Sequence, residues 1–295
     1  MVSTTFRELG LSAPILRQLE NLEYKTPTPI QAACIPLLLQ NKDLMGLAQT
    51  GTGKTAAFAL PLIQQLSERS GKPPGRRVRA LILSPTRELA AQIHENIRAY
   101  ARGLHLSTAV IFGGVGYVSQ FKELAGGLDI LIATPGRLID HLERRTVSLD
   151  SVETLILDEA DEMLDMGFLE DIERIAEAMP ETKQTLFFSA TMSPEINRLV
   201  SRFMKEPIQI SIERPTLTVP TIEQVYYEVV FSSRIEVLSR LLDTGKIKMG
   251  LVFANTKKVV DDVVDGLTAR GYPVDRLHGA VSYTHLRAHE TSQDL

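Results

Sequence analysis

The stretch AQTGTGKT at residues 48–55 places small residues, one lysine and one hydroxyl where a helix is about to begin. Glycines let successive backbone N–H groups point inward, and the following helix N-terminus adds partial positive charge. Such a loop suits phosphate oxygens, with Lys54 reaching the outer phosphates and Thr55 holding Mg²⁺ through its hydroxyl. Ala48 replaces the first glycine of the generic Walker A pattern, and a plain flexible turn is the alternative. The other expected nucleotide-binding residues are Gln49, Thr50, Gly51, Thr52, Gly53 and Ala56.

A second chemical feature is the acidic run in ETLILDEADEML, where Asp158 and Glu159 follow a short apolar run. In an open parallel sheet, ligands bind at the carboxyl ends of the strands, where these two carboxylates are expected to lie. Asp158 is expected to hold a phosphate-bound Mg²⁺, and Glu159 to polarise the water that attacks the γ-phosphate. Alone, the run would suit a helix cap. Combined with the loop around Lys54, it predicts a P-loop nucleoside triphosphatase with Lys54, Asp158 and Glu159 as catalytic residues.

The elements that must position these residues are short apolar runs separated by segments with helical spacing. Seven such runs, DLMGLA, RALILSP, STAVIFGG, DILIAT, ETLILDE, QTLFFSA and IQISI, predict a parallel sheet buried on both faces in a doubly wound α/β domain, residues 1–211. The proline-bearing residues 212–222 are the expected linker. Residues 223–280 restart the same pattern, with room for about three strands.

DEAD at 158–161 together with AQTGTGKT resembles the DEAD-box family of ATP-dependent RNA helicases. The resemblance implies a RecA-like P-loop domain followed by an incomplete second RecA-like domain in residues 223–280, with ATP and Mg²⁺ as cofactors. YKTPTPIQ resembles the Q motif of this family, in which Gln31 would read the adenine edge and Phe6 would pack against the base. The family usually has glycine where this sequence has Glu23.

The resemblance also implies contacts with the RNA sugar-phosphate backbone. SPTREL, the pair GG at 113–114 and TPGR at 134–137 resemble family motifs that grip RNA without reading its sequence. SAT at 189–191 resembles the motif that links the nucleotide site to RNA, through Ser189 and Thr191. The residues implied as RNA-binding are Thr86, Arg87, Gly114, Thr134, Gly136 and Arg137. LVFANT and RLHG resemble elements of the second domain.

Composition excludes several other classes. The net charge of −4 gives no overall attraction to nucleic acid or to an anionic membrane, so any polyanion site must be local. The single cysteine, Cys34, rules out an intramolecular disulfide and is expected to be a small packed residue. We see neither a membrane-spanning run nor a signal peptide. We therefore expect a cytoplasmic protein whose partner is RNA and not a membrane; protein partners remain unknown.

The last residues, from Val281, fit neither a helix nor a strand pattern. VSYTHLRAHET at 281–291 resembles the translation of a transposon end and primer used in sequencing-library preparation, so we expect residues 281–295 to be non-native. A genuine divergent C-terminus is the alternative. His285 and His289 have the spacing of a metal pair on a helix face, but this origin argues against a ligand role.

The resemblance covers residues from about Phe6 to Ala280 and implies arginines, in a final His-Arg-x-Gly-Arg motif, that reach the γ-phosphate. That motif does not occur in the sequence. Because arginine fingers contribute about 10³ to 10⁵ in rate, we expect poor ATP turnover from the chain as written. A nucleotide- and RNA-binding module without efficient turnover is therefore one alternative. A P-loop motor acting on DNA is another, which the DEAD and TPTPIQ motifs disfavour.

Overall fold

The computed structural model describes residues 5–69, 71, 73–212, 223, 225–245, 247 and 249–278. The chain divides into two compact units, Met1–Pro215 and Thr216–Leu295. Except for Ile212, the expected linker lies outside the described residues, and so does the tail from Val281 with both of its histidines.

The first unit is built on a parallel sheet of seven strands in the order β3-β4-β2-β5-β6-β1-β7. All seven apolar runs form strands, and the predicted α/β fold is confirmed. The strands are β1 (Leu44–Leu47), β2 (Val78–Leu83), β3 (Thr108–Ile111), β4 (Leu128–Ala133), β5 (Thr154–Leu157), β6 (Gln184–Ser189) and β7 (Ile208–Ser211).

Helices cover both faces of this sheet because its central strands are apolar on both sides. In β2, Ile82 belongs to one buried cluster, whereas its neighbours Leu81 and Leu83 belong to the other. The first cluster lies against α1 (Ala13–Asn21), α2 (Pro29–Leu39), α3 (Lys54–Ser67) and α4 (Arg87–Tyr100). The second lies against α5 (Tyr117–Leu124), α6 (Pro135–Glu143), α7 (Ala160–Asp165), α8 (Leu169–Glu177) and α9 (Pro194–Phe203).

Cys34 lies inside the first cluster with 0% of its surface exposed, which confirms that it is a packed residue. Burial raises the pKa of its thiol to about 12, because the thiolate would be poorly solvated there. The native protein therefore presents no reactive thiolate at Cys34 near neutral pH.

The second unit contains a short 3₁₀ helix (Phe231–Ser233), α10 (Arg234–Asp243) and α11 (Lys257–Thr268). The two helices pack closely, because a Cβ added to Gly266 of α11 would lie 2.9 Å from Cδ1 of Ile235 in α10. The expected strands are absent from the described residues of this unit. The apolar side chains of residues 225–230 and 250–254 lie largely in solvent, because no neighbouring strand among the described residues bonds to them. None of the described helices is both long and apolar enough to cross a membrane.

Candidate functional site

The strand order brings the six predicted motif loops to one edge of the sheet. β5, β6 and β1 are neighbours, so the loops that begin at Asp158, Ser189 and Ala48 lie side by side. β3, β4 and β2 form the other half of this edge, carrying GG, TPGR and TREL. The carboxyl ends of parallel strands form the usual ligand crevice of an open α/β sheet. The expected phosphate-loop and acidic residues therefore lie at one half of this edge and the expected RNA residues at the other.

The loop before α3 has the shape of a phosphate cradle. Gly51 and Gly53 adopt φ values of 82° and 92°, which residues with a Cβ rarely adopt, and α3 begins directly afterwards. Lys54 is only 6% exposed, and its Nζ lies 3.9 Å from the Asp158 carboxylate. That Nζ has no hydrogen-bond partner among the described residues. A buried ammonium without hydrogen bonds among the described residues, next to a glycine turn at a helix N-terminus, fits phosphate oxygens.

Asp158 is the most strongly perturbed acid of the site. It is 2% exposed, and burial raises its pKa to about 6, against the opposing attraction of Lys54. The backbone N–H of Glu159 donates to Asp158 Oδ1 at 3.1 Å. Thr55, at the start of α3, is partly buried. Carboxylate and hydroxyl oxygens are the ligand types that Mg²⁺ prefers, so Asp158 and Thr55 fit a magnesium site.

Glu159 combines a strained backbone with a bond to the phosphate loop. Its φ of 54° is left-handed, which is uncommon for residues other than glycine. Such backbone conformations cluster at functional sites. The Thr50 hydroxyl donates to Glu159 Oε1 at 2.8 Å. The expected loop residue and the expected water-polarising carboxylate are therefore in direct contact.

Asp161, the last residue of the DEAD motif, belongs to the site although its type and position in the sequence predicted no role. Its Oδ2 accepts from the N–H groups of Ala190 and Thr191, both at 3.0 Å, and from the Thr191 hydroxyl at 3.1 Å. The Ser189 hydroxyl in turn donates to the Thr191 carbonyl at 2.8 Å. The acidic loop and the SAT loop are thus joined by one carboxylate. Three charge-assisted hydrogen bonds make this junction strong.

Gln31 and Phe6 are both buried in the described structure. The Gln31 amide accepts from the Thr28 N–H at 2.9 Å and donates to the Gly53 carbonyl at 3.1 Å, which fixes it against the phosphate loop. Phe6 is 5% exposed, with its ring centroid 6.4 Å from that of Tyr24. Adenine recognition by these two residues stays a prediction.

Glu23, in the place where the family usually has glycine, adopts a left-handed φ of 59°. The loop therefore keeps a conformation that favours glycine although the residue is different.

Among the expected RNA-binding residues, Arg87 and Gly114 lie together. A Cβ on Gly114 would come within 2.5 Å of Arg87 Nη1, and the guanidinium also lies 5.3 Å from the Phe112 ring centroid. Arg87 is exposed at the first turn of α4, whose N-cap Thr86 accepts from the Leu89 N–H at 3.2 Å. An exposed arginine beside an exposed glycine turn is suited to a phosphate.

Thr134, Gly136 and Arg137 behave differently from one another. Thr134 is the N-cap of α6 and is nearly buried, Gly136 is exposed, and Arg137 is only 8% exposed. Arg137 donates to the Val115 carbonyl and stacks 4.2 Å from the Tyr117 ring centroid. Its guanidinium therefore bonds within the protein, and an RNA contact by Arg137 stays a prediction.

Comparison with known proteins places these motifs in a family. Residues 28–199 match the DEAD/DEAH box helicase family. A DEAD-box ATP-dependent RNA helicase CshA from Geobacillus kaustophilus is 43% identical over 279 residues, which are 95% of this chain and 59% of the relative. The CshA helicase of Bacillus subtilis is 41% identical, with 94% of this chain and 55% of the relative covered.

A solved structure of a DEAD box protein from the hyperthermophile Methanococcus jannaschii is 39% identical. It matches with a TM-score of 0.67 over 97% of this chain and 76% of that protein. The chain spans little more than half the length of the curated relatives that it matches. Motifs, fold and relatives agree, and the chain belongs to the DEAD/DEAH box helicase family.

Proposed function

We propose that the protein containing this chain is an ATP-dependent RNA helicase of the DEAD-box type, which couples ATP binding and hydrolysis to local unwinding of RNA duplexes. The observation that carries this proposal is the Asp161 carboxylate, bonded to Ala190 and Thr191 of the SAT loop. It ties the loop that bears Asp158 and Glu159 to a neighbouring strand end, so a change at the nucleotide reaches a second loop through a direct contact.

The nucleotide chemistry follows from the placement of three charged groups. Lys54 presents its ammonium to the outer phosphates of ATP, and Glu159 accepts the proton of the attacking water. Thr55 and Asp158 would hold Mg²⁺, which when bound supplies positive charge to the phosphate oxygens. Gln49, Thr50, Gly51, Thr52, Gly53 and Ala56 would complete the loop around the phosphates, with Gln31 and Phe6 on the adenine side.

RNA is proposed to bind along the half of the edge formed by β3, β4 and β2. Exposed Arg87 and Gly114 suit backbone phosphates, and Thr86, Thr134, Gly136 and Arg137 follow in the same motifs. Such contacts hold the strand without reading bases. We also propose that residues 223–280 belong to a second RecA-like domain and that the protein acts in the cytoplasm.

A second candidate applies to the chain as given, a nucleotide- and RNA-binding module without efficient turnover. All residues proposed for ATP and RNA lie in the first unit, Met1–Pro215, which supports binding by this unit. Turnover that requires arginines from a complete second domain would then be slow.

The decisive experiment is ATP hydrolysis with and without RNA. It compares the 295-residue chain with a version extended from the source genome, and Lys54→Ala serves as the inactive control. RNA-stimulated turnover of the extended protein alone would support the helicase proposal and the role of the missing arginines. Equal turnover by the short chain would contradict that role. Lack of stimulation in both would leave the binding module. Separation of DNA duplexes as readily as RNA duplexes would favour the DNA motor, because only RNA offers the 2′-OH.

A further inference from the structure

Gln120, on α5, is a buried polar residue to which no motif assigns a role. It is 4% exposed and lies six residues beyond Gly114, on the side of the domain proposed to bind RNA. A buried amide must find hydrogen bonds or destabilise the fold by about 1–3 kcal/mol. The groups that Gln120 bonds therefore indicate which parts of the protein it holds together.

The amide of Gln120 joins three points on two motif loops. Its Nε2 donates to the Phe112 carbonyl at 3.2 Å, immediately before the Gly113–Gly114 turn. Its Oε1 accepts from Arg137 Nη1 at 3.1 Å and lies 3.0 Å from His141 Nε2. Phe112 directly follows β3, whereas Arg137 and His141 both belong to α6. The amide thus bridges the GG turn and the TPGR helix.

The neighbouring groups fix which atoms of this bridge donate a hydrogen bond and which accept one. A carboxamide oxygen only accepts, so His141 must carry its proton on Nε2. Burial, assisted by Arg137, lowers the pKa of His141, and its Nδ1 faces the Thr146 hydroxyl at 2.8 Å. The Thr146 hydroxyl in turn donates to the His141 carbonyl at 3.0 Å. Gln120 therefore cannot turn its amide over without placing two N–H donors against each other.

Arg137 holds the same loop from a second side. Its Nη1 also donates to the Val115 carbonyl at 3.0 Å, and its guanidinium covers the Tyr117 ring. Residues 112–117 are thus held at both ends by side chains that Gln120 connects. The exposed glycines of the two motifs, Gly114 and Gly136, are carried on the parts so held.

We infer that Gln120 is a positioning residue that sets the spacing between the GG turn and the TPGR helix start, and thereby the separation of two backbone-gripping points on RNA. The inference rests on the proposed function, because it names the residue that shapes the same RNA surface. Gln120 itself touches no RNA.

If Gln120 served only to stabilise the fold, replacing it would change stability without changing RNA binding specifically. A second buried glutamine provides a matched control for this possibility. Gln184 is also buried, at 7% exposure, and its Nε2 donates to the carbonyls of Leu38 and Lys42. It lies at the amino end of β6, on the edge of the sheet opposite the motif loops. Gln120→Met and Gln184→Met each remove one buried amide of comparable bonding. Gln120→Glu keeps the acceptor oxygen but loses the donor to Phe112.

The experiment has two readouts. In the 295-residue chain, hydrogen exchange of amides 121–125, which donate within α5 and at its end, should become about tenfold faster in Gln120→Met and stay unchanged in Gln184→Met. In the extended protein, Gln120→Met should raise the KM for RNA in RNA-stimulated hydrolysis by about fivefold while kcat changes less than about twofold. The KM for RNA of Gln120→Glu should lie between that of the unsubstituted protein and that of Gln120→Met, because its acceptor oxygen still faces Arg137.

Unchanged exchange at 121–125, or faster exchange with an unchanged KM for RNA, would overturn the inference. Equal effects of Gln120→Met and Gln184→Met on the KM for RNA would also overturn it, since general destabilisation would then be the cause. Failure of the proposed function looks different: the unsubstituted extended protein would show no RNA stimulation at all. That result would overturn the RNA part together with the proposal on which it rests.

Discussion

The Thr50 hydroxyl donates to the Glu159 carboxylate at 2.8 Å, which joins two residues separated by 109 positions in the sequence. Glu159 is the proposed proton acceptor, so the direction of its carboxylate sets where an attacking water can bind. Thr50→Val removes the donor and keeps the shape of the side chain. We expect RNA-stimulated hydrolysis by the extended protein to fall by about tenfold, because small misplacements of a catalytic group are costly. Thr50→Ser keeps the hydroxyl and should stay near wild-type turnover; equal losses in both variants would contradict a role for this bond.

The Asp161 junction predicts a separation of hydrolysis from unwinding. Asp161→Ala leaves the Ala190 N–H group without its acceptor and the Thr191 N–H group with only the Ser189 hydroxyl, at 3.3 Å. Coupling free energies are typically about 1–3 kcal/mol, so duplex separation should fall by about tenfold more than ATP turnover. Asp165→Ala, an exposed change at the end of the same helix, is the control. Equal losses of both activities in Asp161→Ala would mean that this carboxylate serves the nucleotide site alone.

Asp158 predicts a pH-dependent stability in the absence of Mg²⁺ and nucleotide. Its pKa is raised from an ordinary 3.8 to about 6, so the folded protein binds the proton more tightly than the unfolded chain. The native state therefore loses stability as pH rises from about 4 through 6. Asp158→Asn carries no charge to desolvate and should be more stable at pH 8, by up to about 3 kcal/mol, a gain that disappears near pH 4. Urea denaturation at both pH values measures the difference, and an equal gain at both would contradict the stated cause.

Glu23 predicts a stabilising glycine. Its left-handed φ of 59° costs a residue with a Cβ about 1–2 kcal/mol. Glycine avoids this cost, but it loses more conformational entropy on folding, which cancels part of the gain. Glu23→Gly should raise the free energy of unfolding by about 0.5–1 kcal/mol. Glu20→Gly makes the same change inside α1 and should lower it by about 1 kcal/mol. A loss of stability in both variants would show that the Glu23 side chain has a compensating role.

The second unit is predicted to be loosely held from about Glu223. Tyr226 and Phe253 are 85% and 91% exposed, and their segments form no strand among the described residues. Amides of 225–230 and 250–254 should exchange at least about 1000-fold faster than those of β2, which is paired on both sides. Strong protection of these amides would reveal strand pairing in solution and would overturn this expectation.

The fold was largely predictable from the sequence because its strands are short, apolar and buried on both faces. Such runs indicate a parallel sheet from local sequence alone, without information on distant residues. The site was predictable only as a set of motifs. The bond between Thr50 and Glu159, the bond between Gln31 and Gly53, and the burial of Arg137 all depend on contacts between separate loops. A local pattern carries no signal of such contacts, and the role of Asp161 was missed for that reason.

Two of the three hydrogen bonds that Asp161 accepts come from main-chain N–H groups. Every amino acid except proline carries that group, so the side chain at position 190 is free to vary while the junction is kept. Only proline at 190 or 191 would remove a main-chain donor outright. The contact between the two loops therefore requires few matched substitutions at the two positions. A search for correlated changes among related sequences would overlook it.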